Sequence, residues 1–281
     1  MLSYRHAFHA GNHADVLKHA VLVTVLDYLN QKDKPWWYID THAGAGLYDL
    51  DSEHARKTGE FSTGIARVWR AEAPPALMRP YLALVRELNA DGVLRQYPGS
   101  PWLARACARP EDRLRLFELH STDTQLLSAC FGNAGRQVRT EQVDGYAGLK
   151  SVLPPLSRRA VTLIDPSYEI KTDYQRTVEA LADSLVRFAS GTYMLWYPLL
   201  QSGETRPMLQ SLRSLSLPSW LNVSLTVQSP STRGFGMHGS GLFIINPPWT
   251  LPAALAEVLP WLTGHLGLDA GAGFTLDHHI P

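Results

Sequence analysis

The amino-acid sequence predicts an α/β fold built on a doubly wound, mostly parallel β-sheet. Strand-like and helix-like segments alternate along the chain, which is the pattern of such sheets. Residues 160–164 form a continuous apolar, β-branched run, as expected of a strand that is buried on both faces. The 281 residues, of which 45% are hydrophobic and 19% charged, suffice for one large domain or for a domain with an insertion.

The predicted elements follow one another in a regular order. A wide apolar helical face over residues 14–29 precedes the first strand at residues 36–40, and a glycine-rich loop at residues 41–46 follows that strand. Six more segments have strand patterns: residues 114–118, 137–140, 160–165, 192–196, 222–228 and 241–246. Helical patterns lie at residues 122–131, 174–188, 203–214 and 253–262. The last two strands are close enough in sequence to form a hairpin, so we expect a seven-stranded sheet.

Residues 49–97 differ from the rest of the chain. They are charged and helix-prone, with helical patterns at residues 61–69 and 77–88 on either side of Pro74-Pro75, and they contain no convincing buried strand. We interpret them as a small inserted helical subdomain. The main domain then comprises residues 1–48 and 98–281.

Composition limits the partners and the compartment of the protein. The formal net charge is +0, so a nucleic-acid partner has to be bound by a local basic patch. No run of about 18 apolar residues could cross a membrane, and residues 1–19 lack the apolar centre of a signal peptide. Cys107 and Cys130 form neither a disulfide framework nor a metal-ligand spacing, which is typical of a reducing cytosol. We expect a soluble, cytoplasmic, monomeric protein.

The strand at residues 160–165 ends on the residues that we consider most important for function. Asp165, Pro166, Ser167 and Tyr168 follow it directly, and chemistry in open α/β sheets takes place just beyond the carboxyl ends of strands. Asp165 can accept hydrogen bonds, and Pro166 presents a carbonyl without an N–H of its own. Tyr168 offers a flat face on which a ring can stack. These groups suit the exocyclic amine of an extruded nucleobase.

A second segment competes with this assignment. Asn246-Pro247-Pro248-Trp249 also follows a buried strand and matches the pattern of an acceptor, two prolines and an aromatic residue more literally. We prefer Asp165 on topology, because it ends the fourth strand, beside the first strand and its glycine loop. Asn246 ends the last strand, which pairs in the hairpin and lies far from that point.

The loop after the first strand predicts a nucleotide-like cofactor. Asp40 ends the strand four residues before Gly44, and Gly46 completes a Gly-x-Gly pattern. In a nicotinamide fingerprint a third glycine would follow, but that position is Asp49. The loop instead resembles that of S-adenosylmethionine sites, in which such an acid faces the amino-acid end of the cofactor. A purely structural turn is the alternative.

Two further acidic positions follow strands. Glu118 lies at the tip of the second strand, where Rossmann-type sites bind ribose hydroxyls. Asp144-Gly145 follows the third strand and is placed to meet an adenine ring, although the pair could equally form a type I turn. The order of these acids along the chain, between the glycine loop and Asp165, favours the functional interpretation.

The N-terminal segment is rich in histidine. It could bind a metal ion or line a cofactor or phosphate surface; its candidate residues are Tyr4, Arg5, His6, His9, His13, Lys18 and His19. No cysteine or second cluster completes a tetrahedral set, so we favour the surface and predict no metal. Asp277-His278-His279 is interpreted as a solvated tail. A thiolate nucleophile is not expected, because Cys107 and Cys130 both lie in helical contexts.

Taken together, these motifs resemble amino-methyltransferases that use S-adenosylmethionine, whose Rossmann-like sheet has seven strands. The resemblance narrows to the ribosomal RNA large subunit methyltransferase J family and runs nearly end to end. It is carried by Leu2-Ser3-Tyr4-Arg5-His6, by Phe8-His9-Ala10-Gly11-Asn12-His13-Ala14-Asp15-Val16-Leu17-Lys18-His19, and by residues 40–46, 97–101, 118–120 and 191–198.

The resemblance implies methylation of the N6 amine of an adenine in 23S ribosomal RNA, either protein-free or in an early assembly intermediate. It implies that the cofactor is surrounded by His19, His42, Ser100, Glu118, Asp144 and Gly145, and we add Lys18, Asp40, Gly44, Gly46 and Asp165 to this set. Asp165 would be catalytic, with the Pro166 carbonyl binding the amine and Tyr168 stacking the base. Tyr4 would approach the RNA, and we place Arg5 and His6 beside it.

One position departs from the family pattern of Asp-Pro-Pro-Tyr. Ser167 replaces the second proline and removes the conformational restraint that a following proline places on Pro166. Two other functions stay open. A DNA adenine-N6 methyltransferase would have the same cofactor motifs, and Ser167 leaves room for a weakly active nucleic-acid binder linked to the use of external DNA.

Overall fold

The structure is a computed structural model that describes residues 5–232 and 236–281. The strands in these ranges are β1 (Trp37–Asp40), β2 (Leu47–Asp49), β3 (Gln96–Pro98), β4 (Arg113–Phe117), β5 (Val138–Glu141), β6 (Ala160–Ile164), β7 (Thr192–Leu199), β8 (Trp220–Thr226), β9 (Gly239–Ile245) and β10 (Gly273–His279). The α-helices are α1 (His13–Asn30), α2 (Glu53–Thr58), α3 (Met78–Leu88), α4 (Ser100–Cys107), α5 (Ser121–Cys130), α6 (Gly145–Val152), α7 (Thr172–Arg187), α8 (Thr205–Arg213) and α9 (Leu251–Leu266). Short 3-10 helices cover His6–Phe8, Glu60–Ser62 and Ile65–Arg67.

Eight strands of the described chain form one twisted sheet in the order β10-β8-β9-β7-β6-β1-β4-β5. Strands β7, β6, β1, β4 and β5 are parallel to one another. The pairs β7–β9, β9–β8 and β8–β10 are antiparallel. The predicted α/β class, the mostly parallel sheet and the pairing of β8 with β9 are confirmed. The eighth strand was not predicted. This strand, β10, includes Asp277, His278 and His279 and pairs with β8, so the interpretation of these residues as a solvated tail was wrong for the backbone. Their side chains are exposed, and the sequence therefore has no apolar pattern that would indicate a strand.

The sheet has helices on both faces and a separate apolar core under each layer. Helices α1, α3, α4 and α9 contribute to one core, and α6, α7 and α8 contribute to the other. Strand β6 feeds both: Val161 and Leu163 point into the first core, and Ala160 and Ile164 into the second. This placement explains why its sequence is apolar without alternation. No described helix is long and apolar enough to cross a membrane.

The motifs that begin at Asp165 and at Asn246 lie at opposite ends of the parallel strands. Residue 40 pairs with residue 163 in the parallel register of β1 and β6, so both strands end at the same edge, just before Asp165. Strand β9 runs antiparallel to β7 and ends where β7 begins, so Asn246 lies at the other edge. The Asn246 side chain donates to the carbonyls of Ala189 and Gly191, both at 2.8 Å, and forms a structural corner.

The segment predicted as an insertion begins and ends in a small antiparallel pair, β2 with β3, which the sequence reasoning missed. The helix predicted at residues 77–88 is α3. The helix predicted at residues 61–69 is wrong, because two separate 3-10 turns flank Gly64. A Cβ at Gly64 would lie 2.1 Å from the carbonyl oxygen of Gly11, so a backbone crossing interrupts the helix. Side chains of α3 share the core of α1, and the division into a subdomain stays an interpretation.

Candidate active site

A cavity of about 240 Å³ opens at the carboxyl edge of β1, β4 and β6. Many of the predicted site residues line it: His6, Lys18, His19, His42, Ser100, Glu118, Asp144, Gly145, Asp165 and Pro166. These residues come from the N-terminal segment, from α1 and α4 and from the ends of four parallel strands, which the sheet topology brings to one edge. Sequence reasoning missed three charged residues of the wall, Asp123, Asp173 and Arg176, because they lie on helices and follow no strand.

Asp40 is predicted to contact the cofactor but lies behind the wall of this cavity. Its carboxylate is fully buried and accepts hydrogen bonds from Tyr38 Oη at 2.6 Å, from Ser100 Oγ at 2.7 Å and from the His42 N–H at 3.2 Å. Burial raises the pKa of Asp40 to about 6 despite these hydrogen bonds. Asp40 therefore positions two residues that do line the cavity, Ser100 and His42.

The glycines of the loop also act through the backbone. Gly44 and Gly46 have φ values of 61° and 79°, a region that favours glycine. A Cβ at Gly44 would lie 2.2 Å from Tyr48 Oη. The Gly44 N–H donates to Glu118 Oε2 at 2.8 Å, and the Gly46 carbonyl accepts from the Gly99 N–H at 2.9 Å. Neither glycine is among the lining residues, so the loop shapes the cavity by holding Glu118 and the start of α4.

Glu118 is fixed by two backbone donors. Its second carboxylate oxygen, Oε1, accepts from the His120 N–H at 2.7 Å. Burial raises the pKa of Glu118, while these N–H groups partly oppose the shift. Each oxygen keeps a second lone pair, so a carboxylate held in this way can accept hydrogen bonds from ligand hydroxyls.

Asp144 and Gly145 begin helix α6, so the alternative of an isolated turn is wrong. Asp144 is the N-cap, and its Oδ1 accepts from the N–H groups of residues 146 and 147, whereas Oδ2 accepts from Arg176 at 2.7 Å. Burial acts to raise the pKa of Asp144, but Arg176 and the cap N–H groups outweigh it and lower the pKa. A Cβ at Gly145 would lie 1.8 Å from the carbonyl oxygen of Thr41, which excludes any side chain.

Lys18 is predicted to contact the cofactor, and the structure places its ammonium between two carboxylates. Lys18 Nζ lies 2.6 Å from Asp165 Oδ2 and 2.8 Å from Asp15 Oδ1. The side chains of Lys18 and Asp15 are 4% and 1% exposed, so these charges are almost completely removed from water. Sequence reasoning missed Asp15. The sequence contained one indication of this ion pair, because Asp15 and Lys18 lie three residues apart on a helix that is otherwise apolar on most faces.

The histidines are mostly buried and neutral. Burial lowers the pKa of His19 to about 3 and the pKa values of His13 and His42 to about 4. His19 Nδ1 lies 2.8 Å from Tyr97 Oη, an internal partner. His13 and His19 are therefore uncharged at neutral pH, whereas a hydrogen bond to Glu60 raises the pKa of His9. His6, Lys18 and His19 of the N-terminal set line the cavity. Among the described residues, no group of three histidine, cysteine or acidic side chains is arranged to hold a metal ion.

Three residues are predicted to contact RNA: Tyr4, Arg5 and His6. Tyr4 lies outside the described residues. Arg5 reaches Asp123 Oδ1 and His54 Nε2, both at 3.3 Å, and so sits behind the rim of the cavity. His6 Nε2 lies 2.9 Å from Asp15 Oδ2 while the ring lines the cavity.

Tyr168 does not face the cavity. Its φ is +54°, its ring is buried with a centroid 4.4 Å from that of Tyr174, and its hydroxyl donates to the Trp196 carbonyl at 2.9 Å. A base could stack on this ring only after the loop that follows β6 had moved. In the described conformation Ser167 faces the cavity instead.

A second cavity of about 320 Å³ lies on the other side of the Lys18–Asp165 pair. It shares His6, Lys18, Asp165 and Ser167 with the first, so the two cavities meet at these four side chains. Its other walls include apolar and polar groups: Trp196, Pro198, Leu200, Met237, Asn12 and Glu60. Two cavities that meet at one carboxylate can hold a group donor and a group acceptor in contact.

Comparison with known proteins gave consistent matches over the whole chain. A family model described as "Ribosomal RNA large subunit methyltransferase D, RlmJ" matches residues 33–278. A protein of Escherichia coli (strain K12), named ribosomal RNA large subunit methyltransferase J, is 49% identical over 97% of this chain and 96% of its own length. A protein of the same name from Haemophilus influenzae is 41% identical over 100% of both chains. A crystal structure of a protein from Legionella pneumophila superposes with a TM-score of 0.88 at 36% identity, covering 96% of this chain and 98% of that one.

Proposed function

The chain belongs to the family of ribosomal RNA large subunit methyltransferases, and we propose that it methylates the N6 amine of an adenine in 23S ribosomal RNA. Methylation of ribosomal RNA by a Rossmann-like, S-adenosylmethionine-dependent enzyme follows from the family. The observation that carries the finer proposal is the meeting of two cavities at Asp165. A carboxylate at that position can bind an amine on one side while the methyl donor approaches from the other.

We assign S-adenosylmethionine to the first cavity on the charge of its wall. Its wall carries five carboxylates against the two cations Lys18 and Arg176; the carboxylates are those of Glu118, Asp123, Asp144, Asp165 and Asp173. This excess of acid suits a ligand that combines a sulfonium, an ammonium group and ribose hydroxyls. Glu118 would accept from the hydroxyls, and the start of α6 would meet the adenine. When bound, the cofactor supplies the electrophilic methyl group.

The second cavity would hold the target adenine. The half-buried indole of Trp196 and the ring of Pro198 form apolar walls, and Asn12 and Glu60 provide polar groups. In this conformation Trp196 is better placed than Tyr168 to contact the base. A base extruded from the RNA has to be bound by such a combination of flat and polar surfaces.

The residues at the junction would position the amine and stabilise the charge that develops on it. Lys18 Nζ donates to Asp165 Oδ2. The other carboxylate oxygen and the Pro166 carbonyl can therefore accept hydrogen bonds from the two N–H groups of N6. These acceptors orient the nitrogen lone pair for in-line attack and stabilise positive charge on the nitrogen. The proton leaves nitrogen toward Asp165 after the methyl group has been transferred.

Transfer of labelled methyl groups to protein-free 23S ribosomal RNA tests the proposal. We expect label in N6-methyladenine with the wild type and a loss of roughly 100-fold or more in rate with Asp165→Asn, because a group that contacts the developing charge is altered. Asp183→Asn is the matched control, since Asp183 lies on the surface in an ion pair with Arg187.

Three results would overturn the proposal. They are label on another base or atom, equal rates for the wild type and a folded Asp165→Asn, or a preference for DNA of the same sequence in a competition assay.

A further inference from the structure

We propose that Asp15 is a positioning residue for methyl transfer, which acts by holding Lys18 and, through Lys18, the Asp165 carboxylate. The inference rests on the proposed function of Asp165. Asp15 is one of the lining residues of the second cavity, but in this assignment its carboxylate holds Lys18 and does not touch the reacting atoms.

The position of Asp15 is fixed from four directions. Its backbone N–H donates to the side chain of Asn12 at 3.0 Å, at the start of α1. Its Oδ2 accepts from the Gly11 N–H and faces His6 Nε2, both at 2.9 Å. Its Oδ1 lies 2.8 Å from Lys18 Nζ, one helical turn further along. A 1% exposed carboxylate with these contacts has almost no freedom to move.

Lys18 connects Asp15 to Asp165, which follows the carboxyl end of β6. Its ammonium bridges Asp15 and Asp165, which are 150 positions apart in sequence and come from α1 and from the end of β6. A lysine ammonium on a flexible stem has no preferred direction of its own. Without a second acid, the Lys18 ammonium would pair with Asp165 alone and could shift toward both of its oxygens, including the one that would accept from N6. Asp15 holds the ammonium back on the side of α1.

The charges of this group also suit the reaction. The two carboxylates and the Lys18 ammonium sum to −1 beside the nitrogen on which positive charge develops, and His6 lies against this group, 2.9 Å from Asp15 Oδ2. Burial opposes the ionisation of Asp15, but His6 and Lys18 outweigh it and hold the pKa of Asp15 well below the ordinary range. The acids Asp15 and Asp165 likewise raise the pKa of Lys18 against the effect of burial. Because Lys18 keeps its proton, we assign Lys18 and Asp15 to electrostatic positioning, and only Asp165 accepts a proton.

The test is a double-mutant cycle on the full-length enzyme with 23S ribosomal RNA. Asp15→Asn preserves the shape of the side chain and removes its charge. We expect kcat to fall by roughly tenfold to 100-fold, less than for direct loss of a charge-stabilising group, with the KM for S-adenosylmethionine changed by less than about threefold. In the Asp165→Asn background the same change should cost nothing further, because its effect passes through Asp165.

Controls separate positioning from folding. Asp112 is a second fully buried carboxylate, which accepts from the Trp36 N–H and pairs with Arg109 away from both cavities. Asp112→Asn should lower the melting temperature and leave kcat per folded enzyme unchanged. Asp15→Glu keeps the charge and should recover part of the rate lost in Asp15→Asn. If Asp15→Asn fails to fold, the cycle is run with Asp15→Glu, whose displaced charge should lower kcat only when Asp165 is present.

Each outcome bears on one claim. The inference would be overturned if Asp15→Asn lowered kcat by the same factor in the wild-type and Asp165→Asn backgrounds. A wild-type kcat in folded Asp15→Asn would overturn it as well. Absence of methylation by the wild type would instead refute the proposed function.

Discussion

Replacement of Lys18 by methionine is the most informative test of the buried charges. Methionine fills a similar volume, so the change removes the ammonium and leaves two carboxylates without their shared cation. Asp165 is 14% exposed and can recover some hydration from the cavities, but Asp15 is 1% exposed and cannot. Loss of one partner from a buried ion pair costs about 3–5 kcal/mol. We expect a value near the lower end, about 3 kcal/mol, because Asp15 keeps the Gly11 N–H.

The dependence on pH follows from the depressed pKa of Asp15. Its stabilising contribution is present above the ordinary aspartate pKa of 3.8 and is lost as the pH falls through the lower pKa of the folded state. In Lys18→Met the unpaired carboxylate can be protonated at higher pH than in the wild type. The stability deficit should therefore be largest near pH 7 and should shrink toward pH 4.

Urea unfolding and thermal unfolding, both monitored by circular dichroism at pH 7.5 and pH 4.5, measure the loss of unfolding free energy and its dependence on pH. At about 2 °C per kcal/mol for a chain of this size, the melting temperature should fall by about 6 °C at neutral pH. Lys171→Met is the matched control: Lys171 Nζ lies 2.7 Å from Glu204 Oε1, but its side chain is 84% exposed, so little change is expected. An unfolding free energy for Lys18→Met equal to that of the control, or a deficit that grows as the pH falls, would refute the reasoning.

Three further predictions concern single positions. Burial raises the pKa of Asp40 from 3.8 to about 6, so its contribution to stability is present below pH 3.8 and is lost as the pH rises through 6. The wild type should lose about 2 kcal/mol of unfolding free energy relative to Asp40→Asn between pH 4 and pH 7, and a constant difference would contradict this. Gly145→Ala should weaken cofactor binding at least about tenfold in calorimetry, because the Cβ meets the Thr41 carbonyl, whereas Gly264→Ala, in a helix with open space around the added Cβ, should stabilise by about 0.5–1 kcal/mol. Asn246→Ala should cost about 1–3 kcal/mol in unfolding free energy through its two lost hydrogen bonds without changing kcat, and a loss of activity in the folded variant would revive that motif as a site.

The strand ends were predictable because one rule governs all of them. Strand patterns followed by Glu118, Asp144 and Asp165 could be located in the sequence, and parallel strands in an open sheet bring their carboxyl ends to one edge. The rule places a residue at the edge but does not say which way its side chain points. Asp40 and Tyr168 follow strands in the same way, yet one is buried behind the cavity wall and the other turns away at a positive φ.

Features set by distant contacts were not predictable. The pairing of Lys18 with Asp165 joins residues 147 positions apart, and nothing local to either residue indicates it. The break in the predicted helix at Gly64 arises from the backbone of Gly11, which is likewise remote in sequence. Strand β10 has mostly exposed side chains, so its pairing with β8 leaves no apolar pattern in the sequence.

The long separation between Lys18 and its second acid also orders events during synthesis. Helix α1 leaves the ribosome early, but Asp165 follows only 147 residues later, a delay of roughly 7–30 s at translation rates of about 5–20 residues per second. Until β6 emerges, Lys18 and Asp15 must stay hydrated, because an incompletely paired cluster of charges is costly to bury. The N-terminal region therefore gains the second acid partner of Lys18 only after β6 has been synthesised. The core closes later still, because it also contains residues of β7, β8, β9 and α9, which follow β6 in the chain.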